Sequence, residues 1–269
     1  MAGWMLGEPD KLTFDSLDRV VVELVAGAVS VVGGDDRPTL EVSELDGRPL
    51  RVRQEGGTLT IDYERPGGRG PLAWLSGMSE RRHAVLSLAV PRDCRVDLRV
   101  VSASLMVGGL RAPVVARSVS GEITLAGLGG PAEAETVSGA VQASGVTGDL
   151  SAHTVSGDLT VAEGGGGSVR ARTVSGAVTL DLKASGERDI RLSSVSGDLT
   201  VRLPGASDLD VKLESTSGQV ASAFEELEHR RAPGRHAARG RLGAGTGRLQ
   251  ASSTSGHVAL LRRAPEASL

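Results

Sequence analysis

The sequence predicts an all-β fold: a single-stranded β-helix, or β-solenoid, of 18- to 21-residue coils carrying two loop insertions. Three observations predict it. A tripeptide recurs as Val119-Ser120-Gly121, Val137-Ser138-Gly139, Val155-Ser156-Gly157, Val174-Ser175-Gly176 and Val195-Ser196-Gly197. It continues as Thr216-Ser217-Gly218 and Thr254-Ser255-Gly256, with a worn copy at Val101-Ser102-Ala103. The serines stand 18 residues apart at 102, 120, 138 and 156, then 19, 21 and 21 apart to 217, and the last step is 38. A period of 18 is too short for a helical hairpin of roughly 33–47 residues and suits one coil of two or three short strands. Finally, Val155, Gly157, Leu159 and Val161 share one parity, and Thr154, Ser156, Asp158 and Thr160 the other, the alternation of a half-buried strand.

The elements follow in chain order. Residues 1–100 read as an N-terminal β region of irregular first coils, with Gly27-Ala28-Val29 in the slot of the later motif. Leu50–Gln54 and Thr58–Tyr63 flank Glu55-Gly56-Gly57, a hairpin signal. Residues 64–83 break the pattern. Pro and Gly open a loop, and Leu72, Trp74, Leu75 and Met78 form an apolar patch ahead of Arg81 and Arg82. Either Trp74 packs back on the first coils or the loop meets a partner or membrane surface.

Residues 101–262 read as regular coils. Each carries a strand before the motif, as in Leu150 and Ala152, whose parity is opposite to Val155; a corner or bulge therefore falls between Thr154 and Val155. The motif glycine lets the backbone bend or approach the next coil closely. Stacked at about 4.8 Å per coil, the repeats give a rod roughly 40 Å long. Residues 223–241 form the second insertion, where Arg230, Arg231, Arg235, Arg239 and Arg241 follow Glu225, Glu226 and Glu228 near Phe224. A self-paired, solvated loop is the first reading and a docking site for an acidic partner the second. The N-terminal segment and the tail Leu261–Leu269 are expected to cap the exposed strand edges, residues 263–269 lying beyond the last coil.

Composition removes several functions. The chain of 269 residues has five aromatics, none between residues 102 and 220, so the rod lacks the platforms on which sugars and bases stack. A net charge of −3 provides no field for nucleic acid. The single cysteine, Cys94, precludes an internal disulfide and reads as a structural thiol. No basic leader and no apolar run of membrane-span length is present, so the expected compartment is the cytoplasm.

The motif serines, Ser120, Ser138, Ser156, Ser175, Ser196, Ser217 and Ser255, invite a nucleophile reading. Their near-identical contexts instead suit stacked hydroxyls that satisfy backbone groups and one another. The glycines at 121, 139, 157, 176, 197, 218 and 256 complete the same structural repeat. The residue after each glycine runs Glu122, Ala140, Asp158, Ala177, Asp198, Gln219 and His257, so carboxylates alternate with alanine and a paired-carboxylate site is not expected. The five histidines show no metal-ligand spacing, and Glu163 to Ser168 lacks the lysine of a phosphate loop. No catalytic, metal or cofactor site is expected.

These rungs, the Val90-Pro91-Arg92 entry and the late Gly240–Leu249 segment resemble a bacterial β-strand-repeat family, labelled "putative adhesin", a domain of unknown function. The resemblance covers roughly residues 15–262. It implies a right-handed coil and no catalytic residues to carry over. The Arg-, Ala- and Gly-rich usage with three lysines fits an actinobacterial member. The expected function is thus a non-enzymatic, cytoplasmic interaction scaffold, adhesin-like, monomeric or self-associating. It would hold a protein partner on a Ser/Thr-rich face or on the insertions, through Trp74, Arg81, Arg82, Phe224, Arg230, Arg231 and Arg235. A self-assembling filament or surface adhesin is the first alternative and a carbohydrate-active β-helix enzyme the second.

Overall fold

The structure, a computed structural model, describes residues 2–63, 82–164, 166–183 and 188–263. Every regular element among them is a β-strand. The chain opens with β1 (Ala2–Leu6) and β2 (Asp10–Thr13), then β3 (Arg19–Gly34), β4 (Thr39–Gly47), β5 (Leu50–Glu55) and β6 (Thr58–Tyr63). β7 (Arg82–Pro91) and β8 (Arg95–Gly108) follow. Both β3 and β8 run unbroken through two facing layers, bending near Gly27 (φ 121°) and Ala103. After Gly108 each coil contributes one strand to each layer.

The coils are β9 (Val114–Ser118) with β10 (Ile123–Ala126), β11 (Ala132–Thr136) with β12 (Val141–Ser144), and β13 (Leu150–Thr154) with β14 (Leu159–Gly164). Then come β15 (Val169–Thr173) with β16 (Val178–Leu182), β17 (Asp189–Ser194) with β18 (Leu199–Leu203), and β19 (Leu209–Ser215) with β20 (Val220–Ser222). A hairpin of β21 (Glu228–Ala232) and β22 (Arg235–Leu242) precedes the last coil, β23 (Gly247–Ser253) with β24 (Val258–Arg262). Consecutive coils pair in parallel in both layers, for example Ala132↔Leu150 and Val141↔Leu159. This is the β-solenoid the repeat predicts, with two strands per coil. Alternation fills the space between the layers: Leu150, Ala152, Leu159 and Val161 are buried, and Leu110, Leu128 and Val146 close the far corner.

Three expectations are corrected. The motif valine does not point inward. The second strand begins at Leu159, not Val155, and the buried position at the corner is Thr154. The chain turns there because the amide of each motif serine bonds the carbonyl of the first motif residue one rung below, as Ser156 does with Val137 at 2.9 Å and Ser217 with Thr254 at 3.0 Å.

The last sequence repeat is also not the last rung. β23 inserts between β17 and β19, and β24 between β18 and β20, so Thr254-Ser255-Gly256 sits between the motifs at 195 and 216.

Finally, the second insertion is an ordered hairpin rather than a loop. β22 runs antiparallel to β19 and closes the rod's first layer, with β21 outermost. At the other end β5 pairs β6 antiparallel across Gly56 (φ 57°), and β1 and β2 form the outermost strands of the two layers. Trp4 meets Phe14 edge-on at 5.8 Å between them. Trp74, Arg81 and the tail residues 264–269 lie outside the described residues.

Candidate interaction surface

The corner motif assigns each side chain a separate task. The residue three before the glycine is a buried Ser or Thr whose hydroxyl accepts the glycine amide: Ser118 from Gly121 at 2.7 Å, Thr136 from Gly139 at 3.1 Å, Ser194 from Gly197 at 2.7 Å and Ser253 from Gly256 at 2.9 Å. The equivalent hydroxyls of Thr154 and Thr173 are buried without a partner. This hidden hydroxyl column escapes the sequence reading, although its signal, Ser or Thr at the third position before each motif glycine, is present throughout.

The motif serine donates its hydroxyl to the same carbonyl that its amide already uses, as in Ser138 to Val119 at 3.3 Å. Ser120, Ser156, Ser175, Ser196, Ser217 and Ser255 do likewise on their own lower rungs. The glycine leaves no room for a side chain. A methyl at Gly121, Gly139, Gly157, Gly176, Gly197, Gly218 or Gly256 would overlap the carbonyl oxygen of the neighbouring rung.

That leaves the valine. Val101, Val119, Val137, Val155, Val174 and Val195 stack along one corner, each 46–50% exposed. Thr254 and Thr216 continue the row on the next two rungs. The result is a one-residue-wide apolar ledge along the rod, flanked by the exposed motif serines.

The carboxylates beside the ledge serve the backbone. Asp158 accepts the amide of Ala177 at 2.8 Å, and Asp198 that of His257 at 2.7 Å. Asp149 accepts both the amide and the hydroxyl of Ser168, which holds its carboxyl below the usual range. Among the described residues no group of His, Cys, Asp and Glu is placed to hold a metal ion.

Ser151 Oγ lies 3.0 Å from His153 Nε2 on the first layer's outer face, and Glu135 stands beside His153 in register on β11. The amides of β13 and β11 around this trio are committed to the ladders with β9, β11, β13 and β15, so among the described residues no backbone amide of these strands is left to act as an oxyanion donor. Cys94 is buried, and desolvation, then the charge of Asp18, pushes its thiol up to about 11.

The other surface candidates separate. Phe224 is 2% exposed and packs inside the end cap with the Arg262 guanidinium 5.0 Å from its ring, so it is not a contact residue for a partner. Arg82 is half-buried in the wall of a cleft of about 330 Å³ with Tyr63, Asp62, Arg99 and Val101. Burial there pushes the Tyr63 hydroxyl up to about 12, with the Arg82 charge acting against it. Arg230, Arg231 and Arg235 stand exposed on the hairpin. Arg235 and Arg239 both bond Glu214 on β19, and Arg230 lies 3.7 Å from Glu228. A trough of about 320 Å³ crosses the second layer over Ala28, Ser30, Ser87 and Ser104, walled by Val85 and Met106. Among the described residues no helix is long and apolar enough to cross a membrane.

A family model described as Toastrack DUF4097 matches residues 32–261. No curated protein matches the chain. A solved structure from Bacteroides fragilis, described as a "putative adhesin", shares the fold at 10% identity and a TM-score of 0.53, with 95% of this chain and 98% of that one covered. Another, from Parabacteroides distasonis and described as a "putative lipid binding protein", is 14% identical with a TM-score of 0.40, over 96% of this chain and 98% of that one.

Proposed function

The chain belongs to the Toastrack DUF4097 family, and on that premise we propose that it is a non-enzymatic, adhesin-like scaffold that holds a protein partner along its valine ledge. One observation carries this reading. Six consecutive rungs present the same half-exposed valine, while every other motif position serves the backbone. A contiguous apolar strip on an otherwise polar corner is the kind of surface that partners cover. The adhesin description of the Bacteroides structure agrees with a binding role.

Several observations favour binding over catalysis. The aspartates nearest the ledge cap backbone amides, and the Ser151–His153 pair lies on a flat face without oxyanion donors. A carbohydrate-active enzyme would need paired, unencumbered carboxylates on adjacent rungs. The reading places the scaffold in the cytoplasm, where a fold with one buried thiol and no disulfide needs no oxidising compartment. Recovery of the native protein from the envelope or medium would overturn that assignment.

The test replaces Val119, Val137, Val155 and Val174 together by serine and compares affinity capture with the unaltered protein. The ledge reading expects the specific partner to be lost while the melting temperature and far-UV spectrum stay native. Unchanged capture by the folded variant would refute it.

A further inference from the structure

We propose that the protein associates head to tail, the arginine-bearing edge of β21 in one copy docking on the acidic N-terminal end of the next. The two ends offer matching elements. β1 and β21 are the outermost strands of the same layer, and among the described residues each pairs on one edge only, β1 with β5 and β21 with β22. An unpaired edge is a row of free amides and carbonyls, ready to take another strand. β21 is exposed at all five positions, so among the described residues nothing covers either of its faces.

Charge selects the occupant. Residues 225–241 carry five arginines against three glutamates, a net +2, and Arg231 and Arg241 form no ion pair among the described residues. β1 itself carries no charged side chain, and Arg51 and Arg53 of β5 beside it are held by Asp62. But residues 7–18, which follow β1 across the same end and include β2, carry Glu8, Asp10, Asp15 and Asp18 against Lys11, a net −3, all five exposed. Two hairpins docked edge to edge would set arginine against arginine, and two N-terminal ends would set carboxylate against carboxylate. Only the heterologous contact matches opposite charge with opposite charge. Such a contact does not close on itself, so it generates open chains rather than a symmetric dimer.

The contact is independent of the valine ledge, which faces sideways, so each idea fails on its own variants. Sedimentation velocity of the full chain at 20 mM and 500 mM NaCl reads it. Association rising with concentration at low salt, and weakened at least tenfold at high salt, is expected. A strict monomer at low salt and high concentration would overturn the proposal.

Charge reversal gives the decisive arm. R230E/R231E alone and E8R/D10R alone should each be monomeric, because each then carries two like-charged ends. Their equimolar mixture should associate again. Both pairs of sites are exposed, and native melting temperatures confirm folding. Wild-type association by either variant alone, or a mixture that stays monomeric, would defeat the charge-matched contact.

Discussion

Thr136 Oγ1 accepts the amide of Gly139 at 3.1 Å, whereas Thr154, one rung on and equally buried, holds its hydroxyl without a partner. The same residue type in the same slot therefore has two energetic values. Thr136→Val strands a buried amide and should cost about 1–2 kcal/mol. Thr154→Val removes an unpaired buried hydroxyl at constant shape and should be neutral or stabilising. Denaturant midpoints of the two variants check this, and equal losses would show that the hydroxyl column acts through packing alone.

The glycine column sets how closely the rungs approach. A methyl at Gly197 overlaps the carbonyl oxygen of Gly176, and that backbone cannot yield as a flexible side chain would. Gly197→Ala should destabilise by about 2–3 kcal/mol through this overpacking. Gly234, at the hairpin tip, is the control for crowding, because a methyl added there would meet nothing within 4 Å. Its φ of 71° still makes Gly234→Ala mildly unfavourable, by about 1 kcal/mol. Thermal melts that ranked Gly234→Ala as the more damaging would contradict the crowding argument.

Much of this architecture is legible in the sequence because a solenoid rung is defined by local spacing. The 18-residue serine period fixes the coil, and Gly56 marks the hairpin between β5 and β6. The valine misleads because Val155, Gly157, Leu159 and Val161 alternate as a strand would. Yet the chain turns where the Ser156 amide reaches the Val137 carbonyl, a contact between rungs that no single repeat encodes. Rung order is hidden for a related reason. A gap of 38 residues is the same length whichever side of the 217 rung the last coil enters. Phe224 sits among glutamates in sequence, and only the end cap, with Arg262 over its ring, explains its burial. The valine ledge, the candidate site, becomes visible only once that turn is known.

Ser151 should be inert. Its 3.0 Å contact with His153 satisfies the geometry of a nucleophile and base, but a flat ladder face offers no donors for a developing oxyanion. A fluorophosphonate probe should label the folded protein no more than Ser151→Ala does. Stoichiometric labelling lost in that variant would return the chain to the enzymes.

The hairpin's attachment should depend on pH through Glu214. Burial alone would raise its pKa, but hydrogen bonds from Arg239, Arg235 and Lys212 outweigh that and hold it at about 2 against an ordinary 4.5. A carboxylate whose folded pKa is depressed contributes stability that is complete above the unfolded value and lost as pH falls through the folded one. The contribution of Glu214 is therefore full above about pH 4.5 and fades towards pH 2. Glu214→Gln removes it at every pH, so the gap in melting temperature between wild type and variant should be constant above pH 5 and shrink as pH falls to 2. Because Arg235 and Arg239 reach Glu214 from β22, amides of β22 should lose exchange protection across the same window before those of β19, which also pairs with β23. A gap that stayed constant down to pH 2 would mean that Arg235 and Arg239 hold the hairpin without help from the charge on Glu214.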